Sequence, residues 1–142
     1  MYLWDTNILR AFTQGNAMLA QHLERVAWST IALPSVVVAE VLQGRCDAAL
    51  KAAPTDAALA HERLLQTQQL LARFQIIWFD SNSGEVMERL GQQHRRSKRH
   101  ADMMIAATVL AGRHVLVTRN QRDFADLLPK PQLVNWLDMP PR

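Results

Sequence analysis

The chain of 142 residues has few of the features that mark secreted or membrane proteins. Its single cysteine, Cys46, excludes an internal disulfide and belongs to no zinc-binding spacing. No run of about 18 apolar residues occurs, so the sequence predicts no transmembrane helix and no membrane partner. An aspartate already stands at position 5, and we therefore expect no signal peptide. These absences predict a reduced, cytoplasmic setting.

Internal repeats, Gly/Ser linkers and low-complexity segments are also absent from the sequence. Four of the histidines, His61, His94, His100 and His114, show no metal-ligand spacing. The apolar fraction of 49% is enough for a packed core. The length and composition predict one domain over residues 1–142.

Short apolar runs and amphipathic stretches alternate along the chain. Strands are predicted at residues 2–4, 29–33, 75–79, 114–117 and 133–136. Helices are predicted at residues 6–12, 17–28, 34–44, 55–74, from 80 into a basic run, 101–111 and 121–128. Alternation of this kind predicts a three-layer α/β/α sandwich with a mostly parallel central sheet.

Two of these boundaries depend on local signals. Gly44 is a helix-stop residue, so residues 46–54 are expected to connect two helices. The triplet Val36 to Val38 is also compatible with a strand. At the other helices, Asp5 or Thr6, Thr55 or Asp56, and the cluster beginning at Asp80 are the expected caps.

Four acidic residues stand at or near the ends of predicted elements: Asp5, Glu40, Asp102 and Asp123. The carboxyl ends of parallel strands meet at one edge of a sheet, where ligand sites form in α/β folds. Carboxylates brought together there raise one another's pKa unless a cation neutralises them. Oxygen ligands suit Mg²⁺ and Mn²⁺, and such ions promote phosphodiester hydrolysis. Neutral groups that can support the acids are Thr6, Asn7, Thr118 and Asn120.

Each acid also has a simpler interpretation. Asp5 and Asp123 can cap helices, and Asp102 can be an ordinary charge at a helix N-terminus. Glu40 can lie on an exposed stripe, although its apolar neighbours make burial costly unless it is paired. Asn120 is an alternative to Asp123 as the fourth site residue.

A dense basic run precedes the third acid. It contains Arg95, Arg96, Lys98 and Arg99. Such a run is often a solvated helix end. Its position beside Asp102 favours a role in holding the phosphates of RNA.

The motifs together resemble those of the PIN-domain ribonucleases, and among them the VapC-like toxins of type II toxin–antitoxin modules. The matching segments are residues 3–7 (LWDTN), 34–44 (PSVVVAEVLQG), 102–107 (DMMIAA), 116–124 (LVTRNQRDF) and 133–136 (LVNW). They occur in the family's order and span nearly the whole chain.

The resemblance implies a metal-dependent endoribonuclease whose acidic cluster is Asp5, Glu40, Asp102 and Asp123. It also implies a homodimer and a cognate antitoxin whose C-terminal segment covers the acidic groove. Two other classes compete with it. A phosphoaspartate protein would need a second acid near Asp5 and a late lysine where this chain has Thr118-Arg119-Asn120. A PIN-like module that binds RNA or protein without cutting would be marked by loss of an acid, and all four are present.

Overall fold

The computed structural model describes residues 1–94 and 99–142, in which strands and helices alternate as the sequence predicts. The strands are β1 (Tyr2–Trp4), β2 (Ile31–Pro34), β3 (Gln75–Ile77), β4 (Val115–Val117) and β5 (Leu133–Val134). The helices are α1 (Thr6–Thr13), α2 (Ala17–Leu23), α3 (Ser35–Lys51), α4 (Pro54–Leu71), α5 (Ser81–Gln93), α6 (His100–Gly112) and α7 (Gln121–Phe124). Short 3₁₀ turns at Trp28–Thr30 and Lys130–Gln132 lead into β2 and β5.

The strands form one sheet in the order β3-β2-β1-β4-β5, and every neighbouring pair is parallel. In the register, Leu3 of the central strand β1 pairs with Ala32 of β2, and Trp4 pairs with Val117 of β4. The carboxyl ends of all these strands therefore lie at one edge. The predicted α/β/α architecture with a mainly parallel sheet is confirmed.

Neighbouring residues of β1 face opposite sides of the sheet, because side chains alternate along a strand. Leu3 packs into one core with residues such as Val37 of α3 and Leu90 of α5. Trp4 packs into a second core with Ile8 of α1 and Leu71 of α4. The sheet is thus covered by helices on both faces, which is why its strands are almost wholly apolar.

Two of the predicted helix starts are confirmed in atomic detail. The carboxylate of Asp5 accepts the backbone N–H of Ile8 at 3.0 Å and caps α1. Asp80 accepts the N–H of Ser83 at 2.9 Å and caps α5. The expected cap of α4 at Thr55 or Asp56 is wrong, because the helix begins earlier, at Pro54, and has no side-chain cap. Proline is favoured at a first helical position because its backbone already has a helical φ.

The expected end of α3 at Gly44 is wrong, and so is the expected connection at residues 46–54. The helix continues through Gly44 to Lys51, and only Ala52 and Ala53 separate it from α4. An isolated glycine costs a helix only about 1 kcal/mol. That cost is readily offset here because α3 packs against α4.

Two shorter helices end before their predicted limits. Helix α2 stops at Leu23, and α7 is a single turn that stops at Phe124. Within the part of the chain that the structure describes, no helix is long and apolar enough to cross a lipid bilayer.

Candidate active site

A cleft of about 580 Å³ opens where the acidic residues meet the helices around the sheet edge. Helices α1, α3, α4, α6 and α7, or the residues that cap them, contribute to its walls. All four sequence-predicted acids line it: Asp5, Glu40, Asp102 and Asp123. The structure therefore brings together side chains that are up to 118 positions apart (123 − 5) in the sequence.

Asp5 lies deepest of the four, directly after the central strand, and only 6% of it is exposed. Its Oδ1 accepts the N–H of Ile8, and its Oδ2 accepts the hydroxyl of Thr118 at 2.5 Å. Thr118 follows β4 and is fully buried. Because Trp4 and Val117 are register partners, the residues that follow them emerge side by side.

Burial raises the pKa of the Asp5 carboxyl above its ordinary value, and the negative charge of Asp102 raises it further. Hydrogen bonds from Thr118 and from the backbone of Ile8 and Asn7 oppose this shift by stabilising the carboxylate. Asp5 is thus an acid whose ionised form is held by three donors against desolvation and a second negative charge. A cation in the cleft would favour that ionised form.

The other acids become progressively more exposed from Glu40 and Asp102 to Asp123. Glu40, in α3, and Asp102, on the first turn of α6, are half-buried. Asp123 in α7 is exposed, as is Asn120, which precedes α7 and lines the same cleft. The geometry places both candidates for the fourth site residue at the cleft.

The predicted supporting residues occupy two different positions. Thr6 and Asn7 line the cleft from the first turn of α1. Thr118 lies behind Asp5, and its hydroxyl oxygen also accepts the backbone N–H of Asn120 at 3.0 Å. This hydroxyl therefore connects the loop after β4 to the carboxylate after β1.

The donor types at the cleft match those that hold Mg²⁺ or Mn²⁺, which prefer carboxylate oxygens. A bound cation would also stabilise the buried carboxylate of Asp5 and offset its repulsion from the nearby charge of Asp102. Among residues 1–94 and 99–142, however, no three His, Cys, Asp or Glu side chains are gathered closely enough to hold an ion. The residues fit a metal by type and by shared location, and their role as ligands stays a prediction.

The predicted RNA-binding residues lie mainly outside the described residues. Arg95, Arg96 and Lys98 belong to that part of the chain. Arg99 is described: it precedes α6 as its N-terminal cap position and lines the cleft close to Asp102.

Sequence reasoning missed two further cations at the cleft, Arg10 of α1 and Arg45 of α3. A signal for Arg10 was present, since Thr6, Arg10 and Thr13 form a polar stripe at helical spacing. No comparable signal marked Arg45, because α3 was expected to end at Gly44.

Strand order, parallel pairing and an acid-lined cleft at the carboxyl edge of the sheet define an α/β protein of the PIN-like class. The chain belongs to the PIN domain family, whose model matches residues 2–127. The resemblance to VapC-like PIN domains inferred from the motifs is confirmed.

Solved structures with this fold include chains of toxin–antitoxin complexes. A chain of a toxin–antitoxin complex from Klebsiella pneumoniae is 27% identical over 98% of this chain and 100% of its own, with a TM-score of 0.70. A chain of VapBC2 from Rickettsia felis, bound to a promoter DNA fragment, is 26% identical over 95% of this chain and 98% of its own, with a TM-score of 0.72. FitAcB from Neisseria gonorrhoeae shares the fold at 24% identity, covering 98% and 100% of the two chains, with a TM-score of 0.74. No curated protein matches the sequence.

Proposed function

We propose that this PIN domain is a metal-dependent endoribonuclease and the toxin of a toxin–antitoxin pair. The family match supports nuclease chemistry, and the similarity to chains of toxin–antitoxin complexes supports the toxin role. The VapBC2 and Klebsiella pneumoniae chains are more than 25% identical over nearly the full length of both chains.

The observation that carries the proposal is the position of the four carboxylates around one cleft. Asp5 is buried at its base, and Asp102 is close enough for its charge to raise the pKa of Asp5. A cation bound in this cleft would stabilise the ionised form of Asp5, which burial and the charge of Asp102 disfavour.

In this proposal Asp5 and Asp102, with Glu40 and either Asp123 or Asn120, hold one or two Mg²⁺ or Mn²⁺ ions. When bound, such an ion favours ionisation of an attacking water and neutralises charge on the departing oxygen of the phosphodiester.

The rest of the work falls to the chain's own groups. Ile8 N–H and the Thr118 hydroxyl fix the orientation of the Asp5 carboxylate, since each holds one of its oxygens. With about four acceptor sites on a carboxylate and three donors to Asp5, a site is left for a ligand in the cleft. Thr6 and Asn7 present neutral polar groups beside Asp5, where they can orient a water or a phosphate oxygen.

The direct test is cleavage of single-stranded RNA by purified protein with Mg²⁺ or Mn²⁺, and after chelation of the metal. Asp5→Asn and Asp102→Asn are expected to abolish cleavage and cellular toxicity while the protein remains folded. Asp56→Asn, an exposed acid on α4 away from the cleft, is the matched control and should cut normally. Wild-type rates in the Asp5→Asn protein, with contaminating nuclease excluded, would refute the proposal.

A second candidate is a PIN-like module that binds RNA or protein without cutting. The absence of a closely gathered acid trio in the described portion of the chain is the observation in its favour. The same assay distinguishes the two functions. A non-catalytic module binds its ligand, shows no metal-dependent cleavage and responds equally to Asp5→Asn and Asp56→Asn.

The proposed partner is a protein antitoxin that covers the cleft and inserts a basic side chain among the carboxylates. The planar guanidinium of arginine matches a carboxylate pair, so an arginine is the expected side chain. We further propose a homodimer in the cytoplasm. A purified toxin–antitoxin complex that retains full nuclease activity would contradict this mode of inhibition, and light scattering of the isolated toxin would test the dimer.

A further inference from the structure

Two arginines stand at the same spacing from two of the site acids on different helices. Arg10 comes five positions after Asp5, and Arg45 comes five positions after Glu40. A helix rises 1.5 Å per residue, so each arginine lies about 7.5 Å further along the helix axis than the acid that precedes it. Both arginines line the cleft that contains the acids.

The side chains of both arginines are available to a ligand. Both are exposed, and within the described ranges neither side chain forms an ion pair or a hydrogen bond. Surface arginines are often solvated, but two on different helices that line one cleft concentrate positive potential there. Arg99 adds a third cation beside Asp102. The acids are therefore flanked by cations contributed from α1, α3 and the start of α6.

Gly44 lies between Glu40 and Arg45 in the sequence and lines the same cleft, but it contributes no side chain to the wall. Gly44 is an interior residue of α3 and does not adopt a positive φ, so the backbone does not require glycine. A Cβ built there would meet no atom of the described chain within 4 Å, so packing does not require it either. Glycine nevertheless costs a helix interior roughly 0.5–1 kcal/mol relative to alanine. The glycine leaves open space in the wall of the cleft, where any larger residue would place a side chain.

We propose that Arg10, Gly44 and Arg45 form a track for the sugar–phosphate backbone of RNA beside the carboxylates. The two guanidinium groups bind phosphates flanking the reacting one, and the open surface at Gly44 lets the chain lie close to α3. The inference rests on the proposed ribonuclease function and names how the same site holds its substrate.

The observations favour a phosphate chain over an acidic protein segment. Guanidinium groups form paired hydrogen bonds with phosphate, and cations from three different elements of the same cleft suit a polymer that runs through it. The hydroxyl of Thr6, on the same side of α1 as Arg10, supplies an additional donor along that path. An acidic segment of a protein partner is the alternative occupant, and binding by the arginine variants distinguishes the two.

The first test measures equilibrium binding of a short labelled single-stranded RNA, with divalent cations chelated so that it is not cut. The variant Arg10→Gln/Arg45→Gln should bind on the order of tenfold more weakly, because charged hydrogen bonds to the RNA are removed. The slope of log affinity against log salt should fall by about 0.7 for each phosphate that the variant no longer binds. The control Arg25→Gln/Arg89→Gln removes the same charge from two exposed arginines outside the cleft and should leave the slope almost unchanged.

The second test fills the space at Gly44. Gly44→Gln introduces a good helix former into the cleft and should weaken RNA binding severalfold without lowering the melting temperature. Gly91→Gln is the matched control, because Gly91 is also helical and has open space for a Cβ but lies outside the cleft. The control should not alter RNA binding.

The outcomes distinguish this inference from the proposed function. If the cleft variants and the control variants lose RNA affinity to the same extent, the proposed track is overturned, but the proposed ribonuclease function is not. RNA binding by the wild type without metal-dependent cleavage would overturn the proposed function alone. Wild-type protein that neither binds RNA in the chelated assay nor cleaves it with metal present would overturn both. Variants that bind RNA normally but lose affinity for an acidic partner protein would assign the arginines to that partner and overturn the track.

Discussion

The hydroxyl of Thr118 donates a hydrogen bond of 2.5 Å to Oδ2 of Asp5, although the two residues are 113 positions apart. The bond joins the ends of the adjacent parallel strands β1 and β4. It is buried, and it fixes the carboxylate that lies at the base of the acidic cleft. The consequences for stability and for pH dependence can be measured separately.

We predict that Thr118→Val destabilises the protein and shifts its pH profile. The valine leaves Oδ2 of a buried carboxylate without this donor, at a cost of about 1–3 kcal/mol in the free energy of unfolding. Because the hydrogen bond lowers the pKa of Asp5, its loss raises that pKa further. The acid limb of RNA cleavage should therefore move to higher pH. Urea unfolding and a pH–rate profile measure the two effects, and Thr118→Ser, which keeps the hydroxyl, should resemble the wild type in both.

Asp5→Asn is predicted to stabilise the metal-free protein at neutral pH. Burial raises the pKa of Asp5 in the folded state, so the folded protein favours the protonated acid. The wild type therefore loses stability as the pH rises from the ordinary carboxyl range through this raised pKa, whereas the asparagine protein does not. Below the ordinary carboxyl pKa, Asp5 is protonated in both states and its titration contributes no difference. Chemical unfolding of both proteins across this pH range measures the difference. If the two free energies of unfolding change in parallel with pH, Asp5 has no raised pKa.

Divalent metal is predicted to raise the melting temperature of the wild type. An ion that binds only the folded state stabilises it by about 2.7 kcal/mol at a concentration one hundred times its dissociation constant. The shift should grow with pH as Asp5 ionises, because the metal binds the carboxylate. Thermal unfolding with Mn²⁺, and with Mn²⁺ plus a chelator, measures it. Asp102→Asn should lose most of the shift and Asp56→Asn none, and an equal shift in all three proteins would indicate binding elsewhere.

Two glycines near helix ends should respond oppositely to alanine. A Cβ at Gly112 would overlap the ring of His114, so Gly112→Ala forces that ring to move and should cost about 1–3 kcal/mol, as overpacking does. A Cβ at Gly91 would meet nothing within 4 Å, and Gly91→Ala should stabilise α5 by roughly 0.5–1 kcal/mol. Chemical unfolding of both variants measures the difference. Stabilisation by Gly112→Ala would contradict the packing at the end of α6.

Much of the architecture was predictable because its signals are local. Short apolar runs alternate with amphipathic stretches, and this periodicity predicts the parallel α/β sandwich without long-range information. Asp5 and Asp80 were recognised as caps because a capping residue bonds a backbone group only three positions away. The order of the motifs likewise sufficed for the PIN resemblance. The prediction failed where a local signal competed with tertiary packing: Gly44 signals a helix end, yet contact with α4 carries α3 on to Lys51.

The sequence by itself determined which residue types are available at the strand ends: carboxylates, hydroxyls and amides suited to a hard cation. Only the tertiary structure decided which of them meet. The sheet order places β4 beside β1, and this adjacency brings Thr118 to Asp5. The longer α3 carries Arg45 to the cleft, where Arg10 also lies. Helical and strand periodicities report which side of an element is buried, but the partner across a cleft depends on strand order and helix length. Those are set by the packing of distant segments.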